Sequence, residues 1–145
     1  MRFPAEQVLL LDEKRACLER HDDVIKLVHL PAWQVGALSA EIESQGPILF
    51  NLAPAIAKMR WAQARLDQRL ALLRHVEALR LYAAEHGKLP GKLSDIPVPL
   101  PSDPLCGQPF RYEIVGATAH LRGTPPKSEE NNPAFNLHYE VTLRK

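Results

Sequence analysis

Tyr82-Ala-Ala-Glu-His-Gly-Lys-Leu-Pro90, followed by Asp103-Pro-Leu-Cys-Gly-Gln-Pro-Phe-Arg-Tyr112, is the stretch on which the fold turns. Gly87 can adopt the left-handed backbone that closes a helix, and Pro90 cannot continue one. Upstream, Leu66, Leu70, Leu73, Val76, Leu79 and Ala83 recur at three- and four-residue intervals, with Leu72, Leu81 and Tyr82 widening the apolar face. The pattern predicts one long helix from about Asn51 to His86, with Asn51 as its N-cap and Pro54 accommodated in its first turn. About 33 residues at a rise of about 1.5 Å each give a rod near 50 Å long.

Downstream of Pro90 the periodicity changes. Leu93-Ser-Asp-Ile96 reads as a single turn, and Pro97-Val-Pro-Leu-Pro101 as an extended connector whose Val98 and Leu100 insert into the core. Phe110, Tyr112 and Ile114 alternate with Arg111 and Glu113, as a half-buried strand requires. Gly116-Ala117 reverses the chain into a second strand, Thr118 to Arg122. After a polar loop comes a third, Phe135 to Leu143. Three antiparallel strands packed on the C-terminal half of the long helix bury the alternating face.

Working outward toward the N-terminus, Pro4 to Leu30 reads as a helix striped by Leu10/Leu11, Cys17/Leu18, Val24/Ile25 and Val28, and ended by Pro31. Ala32 to Gln45 forms a shorter helix before Gly46-Pro47. The expected class is therefore α+β: residues 1–50 a helical arm laid on the long helix, and residues 51–145 the helix plus sheet. One cooperative unit is the expectation for a chain of 145 residues.

Eighteen basic and seventeen acidic side chains leave a formal charge of +1, which provides no field to attract nucleic acid. Arg60, Arg65, Arg69, Arg74 and Arg80 read as a solvated helix face, since Asp67, Glu77 and Glu85 interrupt them. Ile48 to Ala57 is the most apolar window, and with Asn51 and Pro54 inside it falls short of the ~30 Å hydrocarbon layer. Glu6, Asp12, Glu13 and Lys14 interrupt any signal-peptide core. Cys17 and Cys106 read as free thiols.

Candidate chemistry is sparse. His21, His29, His75, His86, His120 and His138 fall at no metal-ligand spacing, and no serine or cysteine stands in a nucleophile motif, so neither a catalytic residue, a metal ligand nor a cofactor is nominated. His86 sits where an imidazolium meets the end of the helix dipole. The expected mechanism is protein–protein contact, with the large apolar side chains Trp33, Ile48, Phe50 and Trp61 as interface residues and either a second copy or another protein as partner. The competing expectation is an accessory C-terminal fragment of a larger enzyme whose catalytic residues lie upstream.

Leu79-Arg-Leu-Tyr-Ala-Ala-Glu-His-Gly-Lys-Leu-Pro90, Leu100-Pro-Ser-Asp-Pro104 and Gly107-Gln-Pro-Phe-Arg-Tyr112, with a C-terminal strand, resemble the soluble region of type II secretion major pseudopilins. They also resemble bacterial proteins that end in the same module. The resemblance spans roughly residues 55–145. It implies a shared scaffold and directs attention to Glu129, Glu130, Asn131 and Asn132 for calcium, although the matching ligand spacing is missing. The basic leader, cleavage site and apolar anchor of a filament-forming pseudopilin find no match in the residues given. Filament assembly would need that anchor upstream, which would place this region on the exposed side of the cell envelope. A chain complete as given is expected in the cytoplasm.

Overall fold

A computed structural model describes residues 4–19, 21–45, 53–126 and 129–143. Helices α1 (Ala5–Glu19), α2 (His21–His29), α3 (Ala32–Gln45) and α4 (Ala53–His86) precede strands β1 (Arg111–Val115), β2 (Thr118–Arg122) and β3 (His138–Thr142). The chain divides into two compact units, residues 1–62 and 63–145, with α4 contributing to both.

In the first unit, Leu27, Val35, Ile42 and Ala53 are buried together, so α2 and α3 close over the opening turns of α4. Arg60 donates a hydrogen bond of 2.6 Å to the Leu30 carbonyl, satisfying an acceptor that the end of α2 leaves open. The helix expected over 4–30 consists of two segments on either side of Arg20, itself outside the described residues. The expected stripe is not a buried one. α1 has no buried residue, and Leu10, Leu11, Leu18, Ile25 and Val28 are all exposed, while Leu27 carries the packing. Gly46, Pro47 and the expected cap Asn51 also fall outside the described residues.

In the second unit, Ala71, Leu72, Ala78 and Leu79 of α4 pack against Phe110, Ala119, Leu121 and Val141 of the sheet region, with Ile96 closing the cluster. The sheet is a three-stranded antiparallel meander, β1-β2-β3, in which Tyr112 faces Leu121 and Leu121 faces Tyr139. The central strand β2 therefore buries its inner residues completely. Ile114, on the edge strand β1, stays exposed, and no described strand pairs with the outer flank of β1. β3 is shorter than the alternation implied: buried Phe135 belongs to the turn that precedes it and carries the Arg65 guanidinium over its ring at 5.1 Å. Gly116 has φ 62° while Ala117 stays negative, the signature of a two-residue type II′ hairpin turn.

The helix stop forms as the sequence requires. Gly87 has φ 69° and donates to the Ala83 carbonyl at 2.8 Å. His86 stacks on Tyr82 with ring centroids 4.1 Å apart and hydrogen-bonds its carbonyl. Tyr112 then donates to the Pro90 carbonyl at 2.7 Å and ties the stop to β1; burial raises this phenol above its usual 10.0.

The buried face of α4 differs from the expected one. It runs through Ala64, Gln68, Ala71, Leu72, His75, Ala78, Leu79 and Ala83, whereas Leu66, Leu70, Leu73 and Leu81 are exposed. Two polar side chains belong to the buried face because each has a partner. His75 Nδ1 donates to the Ala71 carbonyl at 2.8 Å, and its ring meets Phe110 edge to face at 4.9 Å. Gln68 Nε2 donates to both oxygens of Asp103, each at 3.0 Å. Asp103 also accepts from the backbone N–H of Leu105 at 2.9 Å and of Thr124 at 2.8 Å. One fully buried carboxylate thus joins α4, the turn before β1 and the segment after β2.

Burial holds the His75 imidazole below its usual 6.5. The unfolded chain therefore binds a proton that the folded one refuses. Stability should be full above the unfolded value and decline as pH falls from about 6.5 toward the lower folded value. His75→Leu removes this component: in urea titrations between about pH 7.5 and 5.5 it should lose less stability than the parent over the same interval.

Candidate functional site

Of the four apolar side chains singled out from the sequence, two lie among the described residues. Trp33 on α3 is exposed at 46%. Trp61 on α4 is half-buried, its ring lying against Gly36, where an added Cβ would come within 3.7 Å. Ile48 and Phe50 lie outside the described residues.

The second unit carries an apolar surface that the sequence assigned to the core. Leu70, Leu73, Ala78 and Leu81 of α4 face Val98, Pro99 and Leu100 across a groove of about 480 Å³. Arg74 and Glu77 border it. Val98 was expected inside; the proline on each side holds this run extended along the surface, and only Leu100 reaches the core cluster. Leu70, Leu73 and Leu81 keep about half their surface, an unusual density of exposed leucine on one helix face.

A different chemistry occupies the outer face of the sheet. Strand alternation puts Glu113, His120 and Glu140 in one row, and the pairing register sets Glu113 against His120 and His120 against Glu140. The neighbouring row holds Arg111, Arg122 and His138. His120 and His138 stack with centroids 5.2 Å apart, and His120 Nδ1 lies 3.0 Å from His138 Nε2. Glu140 Oε1 is 3.5 Å from the first nitrogen and 3.7 Å from the second. These three side chains form the one group of three or more such donors within metal-binding reach among the described residues. Spacing along the chain concealed it, because the histidines are eighteen positions apart and meet only through the β2–β3 register. The usable signal was the strand alternation itself: His120 in one strand, and His138 and Glu140 two apart in the next.

A cavity of about 510 Å³ adjoins this cluster, lined by Arg111, Arg122, Glu130, Asn136 and His138 among others. The loop considered for calcium spends much of its oxygen on itself. Glu129 accepts from the Asn132 amide at 2.8 Å, Asn132 Oδ1 accepts from the Ala134 N–H at 3.0 Å, and Asn136 caps the carbonyls of Glu130 and Asn132. Arg80 pairs with Glu77 at 3.0 Å, so with Arg60 and Arg65 it is engaged within the fold. His21 is exposed, and Cys17 and Cys106 are half-buried free thiols.

Among the described residues no helix is long and apolar enough to cross a membrane. No family model, curated protein or solved structure matches the chain.

Proposed function

We propose that this protein is a noncatalytic protein–protein assembly module built on a pseudopilin-like scaffold, whose partner is a second copy of the chain. The observation that carries the reading is the uncovered apolar groove of α4, Leu70, Leu73 and Leu81 against Val98. Four exposed apolar side chains in a groove keep a cost in water that a partner relieves by about 25 cal/mol for each Å² covered. α1 supplies a matching element. It is a fifteen-residue helix with no buried residue and with Val8, Leu9, Leu10, Leu11 and Leu18 exposed, and a helix of that length is marginal in water without tertiary packing. A helix that lays an apolar face into an apolar groove is a recurrent recognition mode, and Leu11 and Leu18, seven residues apart, share one face of α1. The scaffold likeness rests on the order of parts: a long helix closed by Gly87, a 3-10 turn at Leu93–Asp95, and a small antiparallel sheet on the C-terminal half of the helix. The buried titratable groups of that unit, His75 and Asp103, are both committed to internal hydrogen bonds, in keeping with a structural role.

Light scattering over a concentration series tests the proposal. The full chain should self-associate, and the Leu70→Glu/Leu81→Glu pair should weaken association by about 100-fold, as placing charge in an apolar contact requires. Leu10→Glu/Leu18→Glu should do the same if α1 is the element that enters the groove. A parent chain that stays monomeric at every concentration would refute self-assembly.

A further inference from the structure

We infer that His120, His138 and Glu140 form a binding site for a single divalent transition-metal ion of the zinc class on the outer face of the sheet. The three donor atoms stand 3.0, 3.5 and 3.7 Å apart. Atoms so spaced lie on a circle of radius about 2.0 Å, so one ion just off their plane reaches all three at the Zn–N and Zn–O length of about 2.0–2.1 Å. The separations also bracket the edge of about 3.3 Å expected between ligands of a tetrahedral zinc ion.

Hydrogen bonding alone accounts for the cluster poorly. One proton between His120 and His138 satisfies the 3.0 Å contact, yet Glu140 Oε1 at 3.5 and 3.7 Å is too far from either nitrogen for a good bond. The carboxylate approaches both rings and closes on neither, as a third ligand does before an ion draws the set together. Two imidazoles and one carboxylate are a donor set suited to zinc and its first-row neighbours, and less suited to calcium, which takes oxygen. The backbone holds the set ready. Antiparallel pairing fixes His120 opposite Glu140, and His138 is one diagonal step away, so binding has only side chains left to order and no backbone. Glu140 is largely exposed, which leaves the fourth position open to water. Glu113, directly opposite His120 on β1, adds negative charge to the same row and offsets Arg111 and Arg122 beside it.

An ion held here would cross-link β2 to β3. The test is a zinc titration of the full chain against a chromophoric chelator, with melting temperature followed in parallel. One equivalent of zinc should bind and raise the melting temperature. His120→Gln and His138→Gln should each weaken binding by more than about 100-fold, since losing even an outer-shell partner of a metal ligand costs about 10–100-fold. Glu140→Gln should weaken it as well. His138→Gln and Glu140→Gln alter exposed side chains, so they should leave the far-ultraviolet circular dichroism unchanged and keep the test informative should His120→Gln fold poorly. Cobalt in place of zinc should give no thiolate charge-transfer absorption. Failure of the parent chain to take up zinc, undiminished uptake by the His120→Gln/His138→Gln double variant, or a thiolate band assigning the ion to a cysteine would each overturn the site.

Discussion

Asp103→Ala should destabilise the C-terminal unit by about 2–4 kcal/mol, the cost of leaving several buried N–H donors without their acceptor after partial relaxation. The carboxylate is fully buried, and all of its described partners are N–H donors: the Gln68 amide and the backbones of Leu105 and Thr124. Alanine leaves these donors facing a cavity, each at an expense of about 1–3 kcal/mol that relaxation only partly recovers. Against a total stability of about 5–15 kcal/mol the loss is large. Urea denaturation read by circular dichroism should show the midpoint falling sharply. Asp103→Asn keeps an acceptor for one backbone N–H and should fall between alanine and the parent. A midpoint unchanged by alanine would mean that water replaces the carboxylate and that the buried junction contributes little. Gly123 is part of the same junction: a Cβ there would collide with Gln68 Nε2, so glycine is what lets the segment after β2 approach α4.

Leu72→Ala should cost about 2–5 kcal/mol, and the adjacent Leu73→Ala no more than about 0.5 kcal/mol. The two side chains are chemically identical and differ in exposure, 0% against 49%. Leu72 lies in the cluster with Phe110 and Leu121, so its removal opens a cavity; Leu73 lies on the groove and loses only partial contact. Leucine and alanine are both good helix formers, so propensity contributes little to either value. The pair therefore measures which face of α4 is inside. Equal costs would reject the assigned face, and a concentration-dependent cost at Leu73 would report association through the groove.

The elements were legible in the residues. Gly87 and Pro90 mark the end of α4, α3 spans the expected Ala32–Gln45, and Gly116-Ala117 turns β1 into β2, because each depends on local backbone geometry that a residue type dictates. The α+β class followed from the change of hydrophobic period at Pro90. Which face of a helix is buried was less legible. Periodicity ranks leucine above glutamine, histidine and alanine, yet Ala64, Gln68, Ala71 and His75 are buried, Gln68 because it meets the Asp103 carboxylate and His75 because it meets the Ala71 carbonyl and the Phe110 ring. The pairing of Gln68 with Asp103 joins residues 35 positions apart, and no local rule anticipates it.

The same distinction governs the sites. Residue spacing alone assigned His120 and His138 to no constellation, because ligand motifs read along the chain require neighbours on one helix or loop. Strand register, a property of tertiary pairing, places them 3.0 Å apart beside Glu140. By itself the sequence determined the order, type and ends of the elements, through backbone preference and hydrophobic period. Only the tertiary structure decided which faces close, which leucines remain exposed and which polar groups meet, because those outcomes depend on contacts between segments whose separation along the chain carries no local signal.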